Sequence, residues 1–332
     1  MGMPIVLSWQ VIRLGRPGDA LELREVPEPK VPENGVLVQV EAAGVNFPDL
    51  LMCGGKYQER PQIPFTPGLE LAGRVVAAPE RYGEMLGERV AGLTSMPSGA
   101  FSEVVPISVA DVLRIPESMD FEVAAAMPIT YHTAHVALHR RAGLKSGETL
   151  LVHGGAGGVG SAAIQIGRAA GAFVIATATG VVRARACSEL GANLALDLDR
   201  ADVVEAVKDA TAGRGADVVF DPVGGELFRL SQKCIAFEGR ILTIGFSSGE
   251  IPNAAANHVL LKNYSLVGLH WGLYRKVAPE VVASTQTLLG ELFTRGLIKP
   301  HIGASFEFSR VPEAIGVLES RSVVGKVVVG RS

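Results

Sequence analysis

"LLVHGGAGGVGSAAIQIGRAAGAFVIATATG", residues 150–180, carries glycine at 154, 155, 157, 158, 160 and 167 and no charged residue before Arg168. Asp, Glu, Lys and Arg are absent from Thr149 to Gly167, so hydropathy alone would allow a transmembrane helix. The glycines argue against one. Each costs a helix interior about 1 kcal/mol relative to alanine, and the cluster from Gly154 to Gly160 would break the span in its middle. The stretch reads instead as a strand ending at His153, a glycine turn, and a helix beginning at Ser161. Ala162, Ala163 and Gly167 let that helix lie close on a sheet.

Glycine in such a turn supplies dihedrals closed to other residues and removes side chains where a backbone approaches a pyrophosphate. The helix N-terminus adds unpaired N–H groups and the positive end of its dipole. Here the spacing is GxxGxxG (Gly154, Gly157, Gly160), overlapping AGGVG, rather than a clean GxGxxG. A purely structural tight turn is the alternative. Its position before "VIATA", at the distance a βαβ unit requires, predicts a dinucleotide site on Ala156, Gly157, Gly158 and Val159.

The tip of the following strand reports which dinucleotide is bound. An NADH-selecting protein places Asp or Glu there, near Ala178 in "ATATG", and that segment holds no acid. Thr179, Gly180 and Arg183 offer a hydroxyl, an open backbone and a cation to a 2′-phosphate, which favours NADPH. For Arg183 the competing reading is a solvated residue in the first turn of a helix.

Outward from this stretch, strands and helices alternate. "FVIATA", "ADVVFD", "GRILTIGF" and "YSLVGLHW" read as strands, with helices at Arg183–Leu190 and through "GELFRLSQKCIAF". Continuous apolar strands between helices predict a doubly wound parallel sheet. The first 120 or so residues, rich in Val, Pro and Gly with short alternating runs such as "GVLVQVEAAGV", read as a small β-rich domain. "FEVAAAMPITYHTAHVALHRRAG" has helical spacing, and after Trp271 come a helix around Val277–Thr294, the strand "ASFEF", a short helix near Val311–Glu319 and the strand "GKVVV". The expected organisation is therefore 1–122, 123–271 and 272–332, the last returning to the first.

The 332 residues carry a net charge of −3 with both signs interspersed, so no basic stripe suited to nucleic acid is visible. Three widely spaced cysteines, Cys53, Cys187 and Cys234, fit reduced thiols, and with no signal-peptide or myristoylation pattern at the N-terminus the expectation is a cytoplasmic protein without a membrane anchor. "YSLVGLHW" would leave a hydrophobic strand on the sheet edge, which predicts a homodimer.

"GVNFPDLLMCGGKY" (Gly44–Tyr57), "PGLELAGRV" (Pro67–Val75), "GERVAGL", "GAFSE", "PITYHTAHVAL", "VHGGAGGVGSAAIQ", "GADVVFDPVGG" and "GKVVV" occur in the order seen in medium-chain dehydrogenases/reductases. The chain most resembles the zinc-free NADPH:quinone oxidoreductases related to zeta-crystallin. This resemblance implies a GroES-like β-rich catalytic domain with an inserted Rossmann domain, and a cleft between them for nicotinamide and substrate. Zinc alcohol dehydrogenases of the superfamily carry Cys and His where this chain has Asn46 and Leu69, so no catalytic metal is expected. The expected reaction is hydride transfer from NADPH to a quinone or α,β-unsaturated carbonyl. A 2-enoyl thioester reductase and a non-catalytic, crystallin-like NADPH binder are the alternatives.

On the family pattern, Asn46 lines the substrate pocket as a neutral donor, or else bonds its own loop. Tyr57 donates to the acceptor oxygen, or else is a core tyrosine; Thr130 approaches the nicotinamide, or else caps a helix. Asp49 reads as a structural cap of the helix that "DLLM" begins. Phe246 and Ser247 lie beside the cofactor, His270 and Trp271 near the nicotinamide through their backbone, and Arg321 folds toward the adenosine phosphates. Leu198 stands where some relatives have a tyrosine that holds the 2′-phosphate, which weakens the expected NADPH preference. His132, His135 and His139 share one side of a helix and read as a polar face rather than a metal site; Cys53 reads as an inert buried thiol.

Overall fold

The computed structural model describes residues 4–320 and 322–331. The chain forms two compact units, one running up to Ile129 and resuming at Pro300, the other Thr130–Lys299. The first unit begins with the antiparallel pair β1 (Ile5–Val11) and β2 (Leu21–Pro27). It continues through β3 (Gly35–Val45), β4 (Glu70–Ala77), β5 (Arg89–Leu93), β6 (Val104–Ser108) and β7 (Val112–Arg114). Valines and leucines from these strands, among them Val36, Val38, Leu71, Val75 and Val90, are buried in one core.

The second unit holds β8 (Thr149–Val152), β9 (Phe173–Ala178), β10 (Leu194–Asp197), β11 (Ala216–Asp221), β12 (Ile235–Thr243) and β13 (Ser265–Gly268). Their order is β10-β9-β8-β11-β12-β13, with every adjacent pair parallel. Leu150, Leu151 and Val152 are fully buried, as strands covered on both faces require. The order reverses between β8 and β11. In an open parallel sheet the carboxyl ends of the strands at such a reversal are where ligands bind, and the glycine turn follows β8 there.

After the second unit the chain supplies β14 (Ile302–Glu307) and β15 (Lys326–Gly330) to the first unit's sheet, whose order is β14-β15-β3-β4-β5-β7 with β6 also on β3. Val311, Ala314, Ile315, Val327 and Val329 complete that unit's core, which is why the C-terminal segment returns. The unit boundaries at 129/130 and 299/300 fall later than the expected 122/123 and 271/272. The helix Pro279–Thr294 belongs with the second unit because it packs on the helix Thr130–His135. The helical run around "PITYHTAHVAL" is also three pieces rather than one: Phe121–Ala125, Thr130–His135 and a π-helical turn Val136–Arg141, with Met127 and Pro128 between the first two. Proline cannot donate the amide a continuous helix needs.

Candidate active site

The turn after β8 has the geometry its glycines predict. Gly154 takes a positive φ of 60°, and a Cβ on Gly155 would lie 2.9 Å from Cys187 Sγ. A side chain on Gly160 would drive into the carbonyl of Gly154, and one on Gly167 would come within 2.5 Å of Leu150. The helix runs Gly158–Ala169, and its first hydrogen bond joins Ser161 N–H to Gly157 O at 2.8 Å. The amides of Gly158, Val159 and Gly160 therefore belong to the first helical turn, which has no intrahelical acceptor for them. Ala156 is fully buried beneath the turn. Close-packed glycine backbone leading into a helix N-terminus fits a pyrophosphate.

At the tip of β9, the turn is held by the neighbouring strand. The parallel register pairs Asp197 of β10 with Ala178. Its Oδ1 accepts the Gly180 N–H at 2.8 Å, and the open backbone expected at Gly180 is thereby occupied. Gly180 has φ 81° and begins the helix Val181–Glu189; Thr179 beside it is exposed and Arg183 half-buried. Arg200 Nε lies 3.7 Å from Asp197 Oδ2. Leu198 donates its N–H to Ala178 O at 2.9 Å.

Phe246 and Ser247 follow β12 in an irregular turn in which Ser247 N–H bonds Pro222 O at 3.1 Å. His270 is the N-cap of the helix Trp271–Val277. Trp271 is buried against the His132 ring at 5.1 Å between centroids, and its Nε1 has no hydrogen-bond partner among the described residues. Thr130 is buried at the start of its helix, while Arg321 lies outside the described residues.

In the first unit, Asn46 joins a buried polar group that the sequence reading did not assemble. Its Nδ2 donates to Glu70 Oε1 at 2.7 Å, and its Oδ1 accepts from Lys326 Nζ at 2.6 Å. Lys326 also bonds Glu70 Oε1 at 2.6 Å, and Glu70 Oε2 takes the Ile129 N–H at 2.7 Å. Asp49 accepts from Asn46 N–H at 2.7 Å and Gly68 N–H at 3.1 Å, so it caps the helix Phe47–Cys53. Burial pushes the Asp49 carboxyl up to about 7, against the pull of its amide donors and of Lys326. Both ends of the Asn46 amide are thus committed inside the protein.

Tyr57, beyond the other end of that helix, is half-buried and lines a cavity of about 430 Å³ with Met52 and Phe65 at its buried wall and Leu14, Ile63 and Arg60 exposed around it. Burial raises the phenol above its ordinary range, so at neutral pH it is a donor. Cys53 is buried and its thiol is pushed up to about 12, as an unreactive cysteine's would be.

Of the three histidines, only His132 leaves the expected polar face. It is fully buried, while the His135 and His139 rings lie 4.6 Å apart, tilted at 47°, and burial with the neighbouring His139 lowers His135 to about 4. No three His, Cys, Asp or Glu side chains among the described residues form a metal-ligand group, and no described helix is long and apolar enough to cross a membrane.

Two family models match the chain: an alcohol dehydrogenase GroES-like domain over residues 32–117 and a zinc-binding dehydrogenase over 158–286. The quinone oxidoreductase-like protein 2 homolog of Nematostella vectensis is 38% identical over 296 residues, covering 89% of this chain and 81% of that protein. The quinone oxidoreductase of Escherichia coli, solved with NADPH, superposes with a TM-score of 0.90 at 27% identity, over 98% of this chain and 99% of that one. The CurK enoyl reductase superposes with a TM-score of 0.87 at 28% identity, again over 98% and 99%.

Proposed function

Because the chain belongs to the medium-chain dehydrogenases/reductases, among the quinone oxidoreductase-like proteins, we propose that it is an NADPH-dependent reductase of quinones or α,β-unsaturated carbonyls, working without zinc. The observation that carries this reading is the glycine turn between β8 and the helix Gly158–Ala169 at the sheet's reversal point, in a chain that matches an NADPH-bound quinone oxidoreductase over nearly its whole length. NADPH supplies the hydride, and the acceptor's oxygen becomes an oxyanion that takes a proton from solvent or from a side chain.

The protein's part is to bind, orient and donate. First-turn amides of Gly158 and Val159 bind the pyrophosphate, with Ala156 and Gly157 keeping the approach clear. Thr179 and Arg183 face the 2′-phosphate. Thr130, Phe246 and Ser247, with the backbone of His270 and Trp271, orient the nicotinamide. Tyr57 donates its proton-bearing hydroxyl to the acceptor oxygen from a wall of largely apolar residues that suits a quinone ring. Asn46, its amide held by Glu70 and Lys326, shapes the pocket's backbone through the helix it caps.

The similarity to an enoyl reductase supports thioester reduction as the second reading. Single-turnover mixing of the NADPH-loaded protein with a naphthoquinone, a simple enone and an enoyl thioester separates the two. Fast reaction with the first two and none with the thioester supports the proposal, and the reverse order supports the second reading. Y57F slows the preferred reaction about tenfold with NADPH binding unchanged.

A further inference from the structure

Gln165 stands in the helix Gly158–Ala169, in a run, "SAAIQIG", that is otherwise small or apolar, and it is 8% exposed. An amide buried there costs stability unless its hydrogen bonds are met, and a leucine would fill about the same space without that cost. Two residues meet them. Oε1 accepts the Lys299 N–H at 2.6 Å and the Tyr131 hydroxyl at 3.1 Å, and Nε2 donates to Lys299 O at 3.0 Å. Lys299 presents one backbone donor and one backbone acceptor, which fixes which end of the amide is oxygen. Burial raises the Tyr131 phenol, so it remains a donor at neutral pH.

Both partners lie where the chain passes between its two units. Tyr131 is the second residue of the second unit and Lys299 its last. One side chain therefore fastens both crossings to the helix whose first turn receives the pyrophosphate. Gln165 is seven residues after Gly158, about 10 Å along that helix. Tyr131 carries Thr130 with it, at the start of the helix Thr130–His135, which packs on Gly158–Ala169.

We propose that Gln165 is a positioning residue for hydride transfer: by holding Tyr131 and Lys299 on this helix, it sets Thr130 against the nicotinamide at a fixed distance from the pyrophosphate site. The proposal rests on the reductase reading above. Apolar packing between helices is non-directional and tolerates sliding, whereas a two-point pairing of one amide with one backbone residue fixes register and orientation together. None of the three bonds involves the glycine turn, so losing them leaves the pyrophosphate site in place and loosens the nicotinamide end.

The test compares wild type, Q165L and Y131F in calorimetric titration with NADPH and with 2′,5′-ADP, which lacks the nicotinamide half, and in single-turnover reduction of a naphthoquinone at saturating NADPH. Melting curves verify folding. Y131F breaks only the bond at 3.1 Å and carries the test should Q165L not fold. Q165L loses about tenfold in NADPH affinity and in single-turnover rate while 2′,5′-ADP stays within about twofold, and Y131F moves in the same direction by about threefold. Variants that keep both affinities at the wild-type values, or lose the two in equal measure, overturn the role of Gln165, and a wild type that still turns over leaves the reductase reading standing. A wild type that binds NADPH and reduces no acceptor overturns the reductase reading, and the ratio of the two affinities then decides the role of Gln165 alone.

Discussion

Lys326 Nζ lies 2.6 Å from Glu70 Oε1, joining β15 to β4 across 256 positions of sequence, with both side chains buried. Its second partner, Asn46 Oδ1, is also 2.6 Å away. A buried ion pair gains little over well-packed apolar residues, but removing one partner strands the other's charge. K326M should therefore destabilise the first unit by about 3–5 kcal/mol, and adding E70L should restore part of it. Urea unfolding of the two variants checks this; a double variant less stable than K326M would contradict it.

Asp49 gives stability a pH dependence whose sign follows from its raised pKa. The native carboxyl titrates at about 7 against an ordinary value of 3.8, so the folded state binds the proton more tightly than the unfolded chain does. Its contribution to stability falls as pH rises from about 4 to about 7 and is constant above. D49N abolishes that titration. Urea midpoints measured at pH 5, 6 and 8 should show the wild type losing ground to D49N as pH rises, and parallel profiles would refute the assignment.

A methyl group on Gly160 meets the carbonyl of Gly154, so G160A must deform the turn that receives the pyrophosphate. NADPH affinity, read by quenching of intrinsic fluorescence, should fall at least about tenfold. G143A, where a Cβ meets nothing within 4 Å but φ is 59°, serves as a control for backbone strain away from the site and should leave NADPH affinity unchanged.

β13 is an edge strand, and Leu266 on it is 38% exposed. We propose that a second copy pairs there, because an apolar sheet edge is otherwise a template for unwanted association. Light scattering at micromolar concentration should give twice the chain mass, and L266P, which removes an amide facing away from β12, should shift it to the monomer. A monomeric wild type rejects the pairing.

Much of this architecture is written locally. "FVIATA" and "ADVVFD" are β9 and β11 residue for residue, because a strand buried on both faces is an unbroken apolar run between helices. Residues 150–180 likewise contain their own strand, turn and helix. Which strands lie side by side is not local, so the site's long-range contacts are not legible in the sequence alone. Asp197 is level with Ala178 only through strand pairing, and Lys326 reaches Asn46 only after 280 residues. A signal did exist for the second case: Glu70 in "GLELAG" and Lys326 in "GKVVV" are lone opposite charges in apolar strands, and a buried charge needs a partner. The helix break at Met127 and Pro128 is also written in the sequence, in a proline set within otherwise continuous helical spacing.

The most direct measurement of the central claim is steady-state oxidation of NADPH, followed by absorbance, with a panel of quinones and an enone, repeated with NADH and with a strong chelator. The account predicts turnover that is faster with NADPH and indifferent to the chelator. Tight NADPH binding without turnover on any acceptor would contradict it and point to a binding role.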